Sequence, residues 1–416
     1  MIKLLFLLIT TIFSVPKIIA KPFLNKQPKL SNTTIKVLLP SPSPFNKKHN
    51  AYKFDVSSSN GLKFWISENP KRKIAIKEKN ISLECSPSGI FIHRKGRKKI
   101  KLRCKWVSLS PIKDELSVNG TSYEGTITIH YAKKRTPQVV NSLEIDDYVY
   151  SVLRYEIFQS WPLEVQRVQA ITSRTYAIYQ MLQARRKKQI YDIKNNNFHQ
   201  TYKGSHNFSH LREAVESTKN IIITYKNNVA LAMFDACCGG IIPAHMKGIE
   251  FESHPYLARK NRCTYCNKNP FYHWTKELKI EDFVNSLKAN KSVNKKLQSI
   301  GKLKGIKILE KDKAGIVHQV QLVGSKKHAV CSGKNLLDCM REKIRSQNFS
   351  LQKIPNQNKI KIIGNGYGHQ LGLCQRGAYE LVKKGWNFQK ILDFYYPGTK
   401  LVKFKIVNPS IHFSSH

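Results

Sequence analysis

Acidic residues are scarce in this sequence. The 416 residues include 27 Asp and Glu against 71 Lys and Arg, which gives a formal net charge of +44 at pH 7. Such a field attracts polyanions, among them nucleic acid, anionic lipid head groups and acidic cell-surface polymers. The alternative is a Lys-rich compositional bias that only solvates the surface, because no single face collects the charge and no nucleic-acid-binding signature is present. Composition alone leaves both interpretations open.

Long apolar runs are also missing after the N-terminus, so no later segment predicts a membrane span, which needs roughly 20 apolar residues. The first 20 residues, MIKLLFLLITTIFSVPKIIA, combine Lys3, a short apolar run and Ala20 before a plausible cleavage point. This pattern predicts a Sec-type signal peptide and a protein exported to the periplasm or cell envelope of a bacterium. An uncleaved anchor is the alternative. Export argues against nucleic acid as the partner.

No nucleotide-binding motif occurs in the glycine-rich stretch GNGYGHQLGLCQRGAYELVKKG, residues 364–385. His369 stands where G-x-G-x-x-G needs its third glycine, and no Gly-Lys-Ser/Thr is present, which argues against a cofactor loop. The glycines would instead let the backbone approach a polymer closely and adopt positive φ. Tyr367, His369, Gln370 and Gln375 supply hydrogen-bonding groups there. The alternative is that His369 is a structural histidine in a tight turn.

The patterning predicts an α+β fold with a mixed β-rich core, a long catalytic helix region and a lysine-rich inserted or accessory subdomain. NSLEIDDYVYSVLRYEIF predicts a helix, and the longest predicted helix follows it, with Ser160 as its cap, Pro162 in its first turn and an apolar stripe along it. KIKIIG predicts a strand, and RGAYELVKKGWNFQKILDFYYPGTKL predicts two short helices separated by Gly385. The predicted divisions are a signal peptide 1–20, a lead-in with one strand 21–50, a β-rich part 51–141, the first part of the catalytic core 142–275, a lysine-rich insertion 276–350, the second part of the core with the glycine-rich His loop 351–405, and a tail 406–416.

Glu156 lies directly before the longest predicted helix, among the apolar and aromatic residues Tyr155, Ile157, Phe158 and Trp161. A carboxyl group among such side chains loses hydration, which raises its pKa and lets it donate a proton near neutral pH. The alternative is a surface glutamate at the end of a helix. A two-carboxylate glycosidase needs a second acid, and Asp146, Asp147 and Asp235 offer no obvious partner. One acid is enough if the substrate supplies its own nucleophile.

Nine cysteines are present, and Cys263 and Cys266 form a C-x-x-C pair. Cys238, with His245 or with Cys237 as its substitute, could complete a tetrahedral structural zinc site around that pair. Disulfides are the alternative in an exported chain, and spacing favours Cys85–Cys104 and Cys331–Cys339. Free thiols are a third reading. Nothing in the pattern indicates an open catalytic metal position, so we expect no cofactor for catalysis.

Two long ordered signatures, RYEIFQSWP…VQAITSRTYA and GYGHQLGLCQRGA, resemble those of the SpoIID/LytB family, the sporulation stage II protein D type. The resemblance extends over about 120–275 and 358–402, close to half of the chain. It implies a peptidoglycan lytic transglycosylase, which cleaves the MurNAc–GlcNAc bond without water and leaves a 1,6-anhydro-MurNAc end. Some relatives instead act as non-catalytic amidase enhancers, which is the alternative function.

The resemblance also implies roles for single residues. The family's catalytic glutamate in E-x-x-x-x-W-P falls on Glu156, and the S-R-T-Y-A element falls on Ser173 to Ala177. The implied substrate-binding residues are Arg174, Tyr176, Gln200, Tyr202, Tyr367, His369 and Gln375. The sequence departs from the family pattern at Gln370, where glycine is usual, and at Ile241, where many relatives have histidine. The implied partners are peptidoglycan glycan strands and, in wall remodelling or division, an N-acetylmuramoyl-L-alanine amidase or division proteins.

Overall fold

A computed structural model describes residues 33–415 except 47–49, 133–135, 196–198, 341–342, 355–356 and 408–409, with side chains as far as residue 404. The predicted signal peptide, the start of the lead-in and all side chains of the predicted tail therefore lie outside the described part of the chain. The described chain divides into two compact units. The glutamate unit comprises 33–159, 173–222 and 402–415, and the cysteine unit comprises 160–172 and 223–401. Each unit is described by itself below.

Short alternating stretches in the glutamate unit form strands, as predicted. In Tyr52–Ser57, for example, Tyr52, Phe54 and Val56 are buried while Lys53 and Asp55 are exposed, because successive side chains of a strand point to opposite faces. The strands up to residue 144 are β1 Thr34–Leu39, β2 Tyr52–Ser57, β3 Leu62–Ile66, β4 Asn69–Ile76, β5 Asn80–Ser86, β6 Gly89–Arg94, β7 Ile100–Leu102, β8 Trp106–Pro111, β9 Leu116–Val118, β10 Thr121–Tyr123, β11 Thr126–His130 and β12 Gln138–Glu144.

The predicted first helix begins later than expected. Residues 141–144 pair with β1 and β11 as the end of β12, so Leu143 belongs to a strand, and the helix starts at Ile145 with Asp146 and Asp147 in its first turn. Acidic residues at that end are favoured by the helix dipole. The elements that follow are α1 Ile145–Glu156, α2 Leu163–Arg186, β13 Ile193–Lys194 and α3 Ser209–Ser217.

The longest predicted helix is confirmed as α2, whose first residue is Leu163, three residues after Ser160. The sequence predicted an apolar stripe, yet every residue from Val168 to Tyr179 is buried. Polar Gln169, Thr172 and Ser173 are buried with the apolar side chains. A helix buried all round needs internal partners for such groups, and the Thr172 hydroxyl donates to the Val168 carbonyl at 2.8 Å.

Two sheets contain strands β1 to β13 of the glutamate unit. One has seven strands in the order β13-β1-β12-β11-β8-β3-β4, and the other has six in the order β10-β9-β2-β5-β6-β7. Strand β1 pairs antiparallel with β12 and parallel with β13. Because β12 continues directly into α1, this sheet fixes the position of the helix that ends at Glu156.

The rest of the chain alternates short strands and helices. The described elements are β14 Ile221–Tyr225, β15 Asn228–Val229, β16 Phe234–Asp235, the 3₁₀ turns Pro243–His245 and Pro255–Leu257, β17 His273–Lys279, α4 Ile280–Lys288, α5 Lys291–Ile300, β18 Leu303–Lys311, β19 Val317–Gly324, β20 His328–Ser332, α6 Gly333–Cys339, β21 Phe349–Lys353, β22 Lys359–Asn365, β23 Leu373–Cys374, α7 Gln375–Lys383, α8 Phe388–Tyr395, β24 Lys400–Val407 and β25 Ser410–Ser415. The strand predicted from KIKIIG is β22, and the two short helices predicted around Gly385 are α7 and α8.

The lysine-rich part of the sequence has a hydrophobic core. Its sheets run β17-β22-β21 and β18-β19-β20, and one cluster of buried residues extends from Trp274 to Ile362, around Phe283, Leu322 and Leu336. This cluster reaches beyond both ends of the predicted insertion 276–350. Among the described residues, no helix combines the length and the apolar character that a membrane crossing requires. With eight helices and several sheets in the described chain, the predicted α+β class is confirmed.

Candidate active site and cysteine cluster

Glu156 is the last residue of α1. The helix ends there because Ile157 returns to extended backbone, with φ −132° and ψ 165°. The Glu156 side chain is only 4% exposed, and its Oε1 accepts a hydrogen bond of 2.7 Å from the Thr201 backbone N–H. The alternative of a solvent-exposed helix-end glutamate is therefore wrong.

Burial raises the pKa of Glu156 to about 7, although hydrogen bonds from Thr201 oppose this rise. A carboxyl group with a pKa near 7 populates its protonated and ionised forms at neutral pH. Such a group can first donate a proton and then accept one, which general acid–base catalysis requires of a single residue.

Buried tyrosines surround this carboxyl group. The Tyr148 hydroxyl donates to Gln200 Oε1 at 3.0 Å, and its ring stacks on Tyr202 with centroids 5.5 Å apart. The Tyr176 hydroxyl lies 3.1 Å from His199 Nδ1. Burial chiefly, and the Glu156 charge in addition, raise the pKa of both Tyr148 and Tyr176. The structure thus brings Tyr148 and Tyr176 near the Glu156 carboxyl group, and Gln200 and Tyr202 contact Tyr148.

Sequence reasoning missed a group of rings and cations beside Glu156. The Arg154 guanidinium lies over the Phe208 ring at 4.2 Å, and the Lys203 ammonium lies over the Tyr155 ring at 5.0 Å. Phe158 has an exposed side chain. Lys203 lies in the same segment as Gln200 and Tyr202, so its position next to those implied site residues was the available signal. This surface offers flat apolar faces next to positive charge.

One pair of neighbouring carboxyl groups, Glu124 and Asp147, lies elsewhere in the glutamate unit. Burial, and then the neighbouring Asp147 carboxylate, raise the pKa of Glu124 to about 7. Arg212 contacts both acids, at 3.5 Å from Glu124 and 3.3 Å from Asp147. Asp146 is engaged by Arg174 at 2.7 Å. The two acids considered from the sequence as partners of Glu156 in this unit, Asp146 and Asp147, are thus both held by arginines.

Four buried cysteines come together in the cysteine unit. The Sγ atoms of Cys238, Cys263, Cys266 and Cys374 all lie within 4.8 Å of one another. Strand β16 pairs in parallel with β23 and places Cys374 at the N-terminus of α7. The Cys374 sulfur accepts hydrogen bonds from the backbone N–H groups of Cys238 and Gly377, both at 3.3 Å.

This cluster differs from the predicted ligand set. Three of the predicted ligands are present, but His245 lies outside the group and so does the substitute Cys237. Cys374 takes the fourth place. The sequence signal for Cys374 is its position inside the glycine-rich stretch, directly before a helix. The disulfides suggested by spacing are absent, since all nine cysteines have free thiols.

The donor set fits a zinc ion. A Zn–S bond of about 2.3 Å in a tetrahedron separates sulfurs by about 3.8 Å, and Cys238 Sγ lies 3.6 Å from Cys266 Sγ. Four thiolates on Zn²⁺ would carry a charge of −2. Buried Arg259 lies over the Tyr395 ring, whose hydroxyl is 3.2 Å from Cys263 Sγ. Within the described chain, its Nε and Nη2 have no hydrogen-bond partner, which suits the counter-charge of a buried thiolate cluster.

The glycine-rich stretch is packed against protein atoms rather than left open. A Cβ on Gly364 would meet the Trp274 ring at 2.2 Å, and one on Gly368 would meet Asp235 at 2.5 Å. Tyr367 forms a two-way backbone bridge with Cys237, at 2.7 and 3.2 Å. The glycines therefore allow two loops of the cysteine unit to approach closely.

His369 and Gln375 bond to neighbouring protein groups. His369 Nδ1 accepts from the Leu371 N–H at 3.0 Å, and the ring also hydrogen-bonds to the Phe234 backbone. Burial lowers its pKa to about 4. Gln375 donates to Gln169 at 3.3 Å. These contacts favour the structural reading of His369.

Comparison with known proteins identifies the family. A family model described as Stage II sporulation protein matches residues 133–225, and a domain of unknown function, DUF8618, matches residues 252–372. An uncharacterized protein of Brachyspira hyodysenteriae is 32% identical over 296 residues, 71% of this chain and 76% of its own. Stage II sporulation protein D of Bacillus subtilis is 24% identical over 282 residues, 64% of this chain and 76% of its own. An amidase enhancer of the same species is 25% identical over 295 residues, 61% and 40% of the two chains.

This chain belongs to the SpoIID/LytB family. Family membership supports a role related to the cell wall. The Glu156 site, including Thr201 and the surrounding tyrosines, lies wholly inside the matched region 133–225.

Arg174 belongs to the SpoIID/LytB signature and was expected to contact substrate. The structure instead places its side chain inside the protein, fully buried. Its guanidinium donates to Asp146 at 2.7 Å and to the carbonyls of Val215 and Ile221 at 3.2 and 3.3 Å. With its donors occupied by protein, Arg174 joins α1, α2 and the residues after α3.

The departure from the SpoIID/LytB pattern at Gln370 has a physical reading. Gln370 has φ +66°, a conformation that glycine adopts without strain. In exchange its side-chain amide donates to the Cys238 carbonyl at 2.9 Å and to the Asn365 carbonyl at 3.0 Å. The glutamine thus fastens the glycine-rich loop to the loop that carries Cys238.

Proposed function

We propose that this chain is an exported peptidoglycan lytic transglycosylase of the bacterial envelope, with Glu156 as its single acid and base. The observation that carries the proposal is the buried Glu156 carboxyl group, whose pKa is raised to about 7 by loss of hydration. Membership of the SpoIID/LytB family supports peptidoglycan as the polymer that the site acts on.

In the proposed reaction, protonated Glu156 donates its proton to the oxygen of the MurNAc–GlcNAc bond. The C1–O bond breaks, its electron pair leaves with the GlcNAc oxygen, and positive charge develops at C1 of MurNAc. The C6 hydroxyl of the same sugar attacks C1, and its proton passes to the Glu156 carboxylate. The 1,6-anhydro end forms without water, and Glu156 is again protonated. General acid–base assistance contributes about 10²- to 10⁴-fold to such a reaction.

Thr201 is a positioning residue in this scheme. Its backbone N–H donates to one carboxyl oxygen at 2.7 Å, and its side chain also hydrogen-bonds to the carboxyl group. These hydrogen bonds stabilise the ionised form, while burial stabilises the neutral form. The balance leaves the pKa near the pH at which the group must both give and take a proton.

The test uses purified peptidoglycan, with and without prior amidase treatment, and reads the products by mass. We expect anhydro ends from the wild type and from Glu213→Gln, a matched change at an exposed glutamate of α3 in the same unit. Glu156→Gln should lower their formation at least 100-fold while the far-UV spectrum stays unchanged. Cleavage by Glu156→Gln at the wild-type rate would disprove the assignment.

A non-catalytic peptidoglycan-binding amidase enhancer is the second candidate. It is favoured by the similarity to a protein named amidase enhancer and by the burial of Arg174, Tyr176, Gln200 and Tyr202, which were expected to contact substrate. Such a module would bind sacculi and stimulate an amidase equally well with Glu156→Gln. Absence of anhydro ends together with this stimulation would select the second candidate.

We further infer that Cys238, Cys263, Cys266 and Cys374 hold a structural zinc ion. Four thiolates close the coordination shell, so the ion would supply folding energy to the cysteine unit rather than chemistry. The spacing of the sulfurs and the buried counter-charge of Arg259 support this site.

A further inference from the structure

The cysteine unit contains a groove that the Glu156 chemistry does not use. Its volume is about 290 Å³, and it lies in the region that matches a domain of unknown function. Its floor is apolar and includes Phe283, Leu303, Ile306 and Leu351. Four lysines line it as well: Lys304, Lys307, Lys353 and Lys359. We call this feature the lysine groove.

Two strand edges border the lysine groove. Strand β18 is an outer strand of its sheet, and β21 is an outer strand of the neighbouring sheet. Five consecutive residues of β18, 303–307, line the groove. An outer strand presents N–H and C=O groups that no strand pairs.

The two strands approach each other outside the residues that line the groove. There the Lys311 ammonium, at the end of β18, donates to the Phe349 carbonyl at the start of β21 at 3.2 Å. Residues of both outer strands line the groove, together with Val323 of β19 and Ile360 of β22. The length of the groove matches a short extended segment, since five strand residues span roughly 17 Å.

Charge restricts what can fill the groove. No acidic residue lines it, so a ligand meets four ammonium groups without competition from protein carboxylates. Residues 1–32 contain five lysines and no acid, and a second copy of a chain with net charge +44 would be repelled. The occupant is therefore a different, acidic molecule.

We propose that the lysine groove docks an extended acidic segment of a partner protein as an added β-strand. Main-chain hydrogen bonds to a strand edge provide affinity, and alternate side chains provide specificity. In such a segment, apolar side chains face the floor at Ile306 and Leu351, and the alternating carboxylates face the lysines. The proposal does not depend on the Glu156 reaction.

The competing explanation is that the lysines only protect the two edges from pairing, as edge lysines commonly do. That explanation predicts that the lysines attract any acidic molecule, whether or not its shape and apolar residues match the groove. An acidic peptide with alternating apolar residues would then bind no better than oligoglutamate. The two explanations therefore differ in what a probe peptide must contain.

The test measures fluorescence anisotropy of a labelled nonapeptide that alternates Glu with Val and Ile, added to the full secreted chain. We expect at least tenfold tighter binding than for hexaglutamate and no binding of the same peptide with Lys in place of Glu. Lys304→Glu with Lys307→Glu should weaken binding at least tenfold. The control Lys71→Glu with Lys77→Glu, exposed residues at and just after the outer strand β4, should change it less than twofold.

Hydrogen exchange on the wild-type chain provides a readout that does not rely on a variant folding. The nonapeptide should protect amides within 303–307 and 351–353 and leave the glutamate unit unchanged. Equal binding of hexaglutamate, equal loss in the control pair, or protection spread over the surface would each overturn the proposal. So would competition by phosphatidylglycerol vesicles at matched charge, because a lipid surface would then be the ligand.

Discussion

At the scale of single residues, Glu156 combines two features that oppose each other. Its side chain is nearly excluded from water, which disfavours the charged form. The Thr201 N–H stabilises the charged form because it donates a hydrogen bond of 2.7 Å to Glu156 Oε1. The result is a pKa raised to about 7. This residue should therefore govern both activity and stability as pH changes.

The stability prediction follows from linkage. An acid whose pKa is higher in the folded than in the unfolded protein stabilises the fold while it is protonated. This contribution is fully present below about pH 4.5 and is lost as pH rises towards 7. Between pH 5 and pH 8 the loss amounts to about 2 kcal/mol. Urea unfolding at the two pH values should show that Glu156→Gln loses less stability than the wild type by this amount, whereas Glu213→Gln follows the wild type. Equal losses in all three proteins would mean that the carboxyl group is not buried.

Gln370 gives a second prediction at this scale. Gln370→Ala keeps the strained φ of +66° and loses the two side-chain hydrogen bonds, whereas Gln370→Gly loses the bonds but relieves the strain. We expect the free energy of unfolding of the alanine variant to be about 1 kcal/mol lower than that of the glycine variant. Urea denaturation measures this difference. An alanine variant as stable as the glycine variant would show that residue 370 is not held at positive φ.

At the scale of elements, β16, β23 and the start of α7 assemble the cysteine cluster. Cys374→Ser and Cys238→Ser should each remove the zinc ion and lower the thermal midpoint, because an incomplete thiolate set binds zinc weakly. His245→Ala and Cys237→Ser should keep one zinc per chain. Elemental analysis after gel filtration measures the ratio. Loss of zinc in His245→Ala with retention in Cys374→Ser would reverse the assigned ligand set.

The secondary-structure elements also show how much of the fold could be predicted from the sequence. Strands β1 and β22, helix α2 and the helix pair α7 and α8 followed from periodicity. The start of α1 did not, because residues 141–144 pair with β1, which lies more than 100 residues earlier in the sequence, and a local pattern contains no such information. Glu156 could be predicted as a site residue because its apolar neighbours are adjacent to it in the sequence. Thr201 and Cys374, which come from distant segments, could not be placed beside Glu156 and Cys238 without the structure.

At the scale of the whole molecule, the surplus of 44 positive charges is distributed over both units. Composition could not decide between a binding surface and simple solvation. In the structure, basic residues have two different roles. Arg174 is buried and donates a hydrogen bond to Asp146, whereas Lys304 and Lys307 line an open groove. The buried position of Arg174 could not be foreseen, because its partners are carbonyls of Val215 and Ile221, more than 40 residues away.

Peptidoglycan digestion in heavy-oxygen water is the most direct measurement of the central claim. If Glu156 returns the C6 proton and no water enters, the new muropeptide ends are one water lighter than hydrolysis products and contain no heavy oxygen. Glu156→Gln should form none of them, and Glu213→Gln should match the wild type. Heavy oxygen at the new ends, or unchanged anhydro product from Glu156→Gln, would contradict the account.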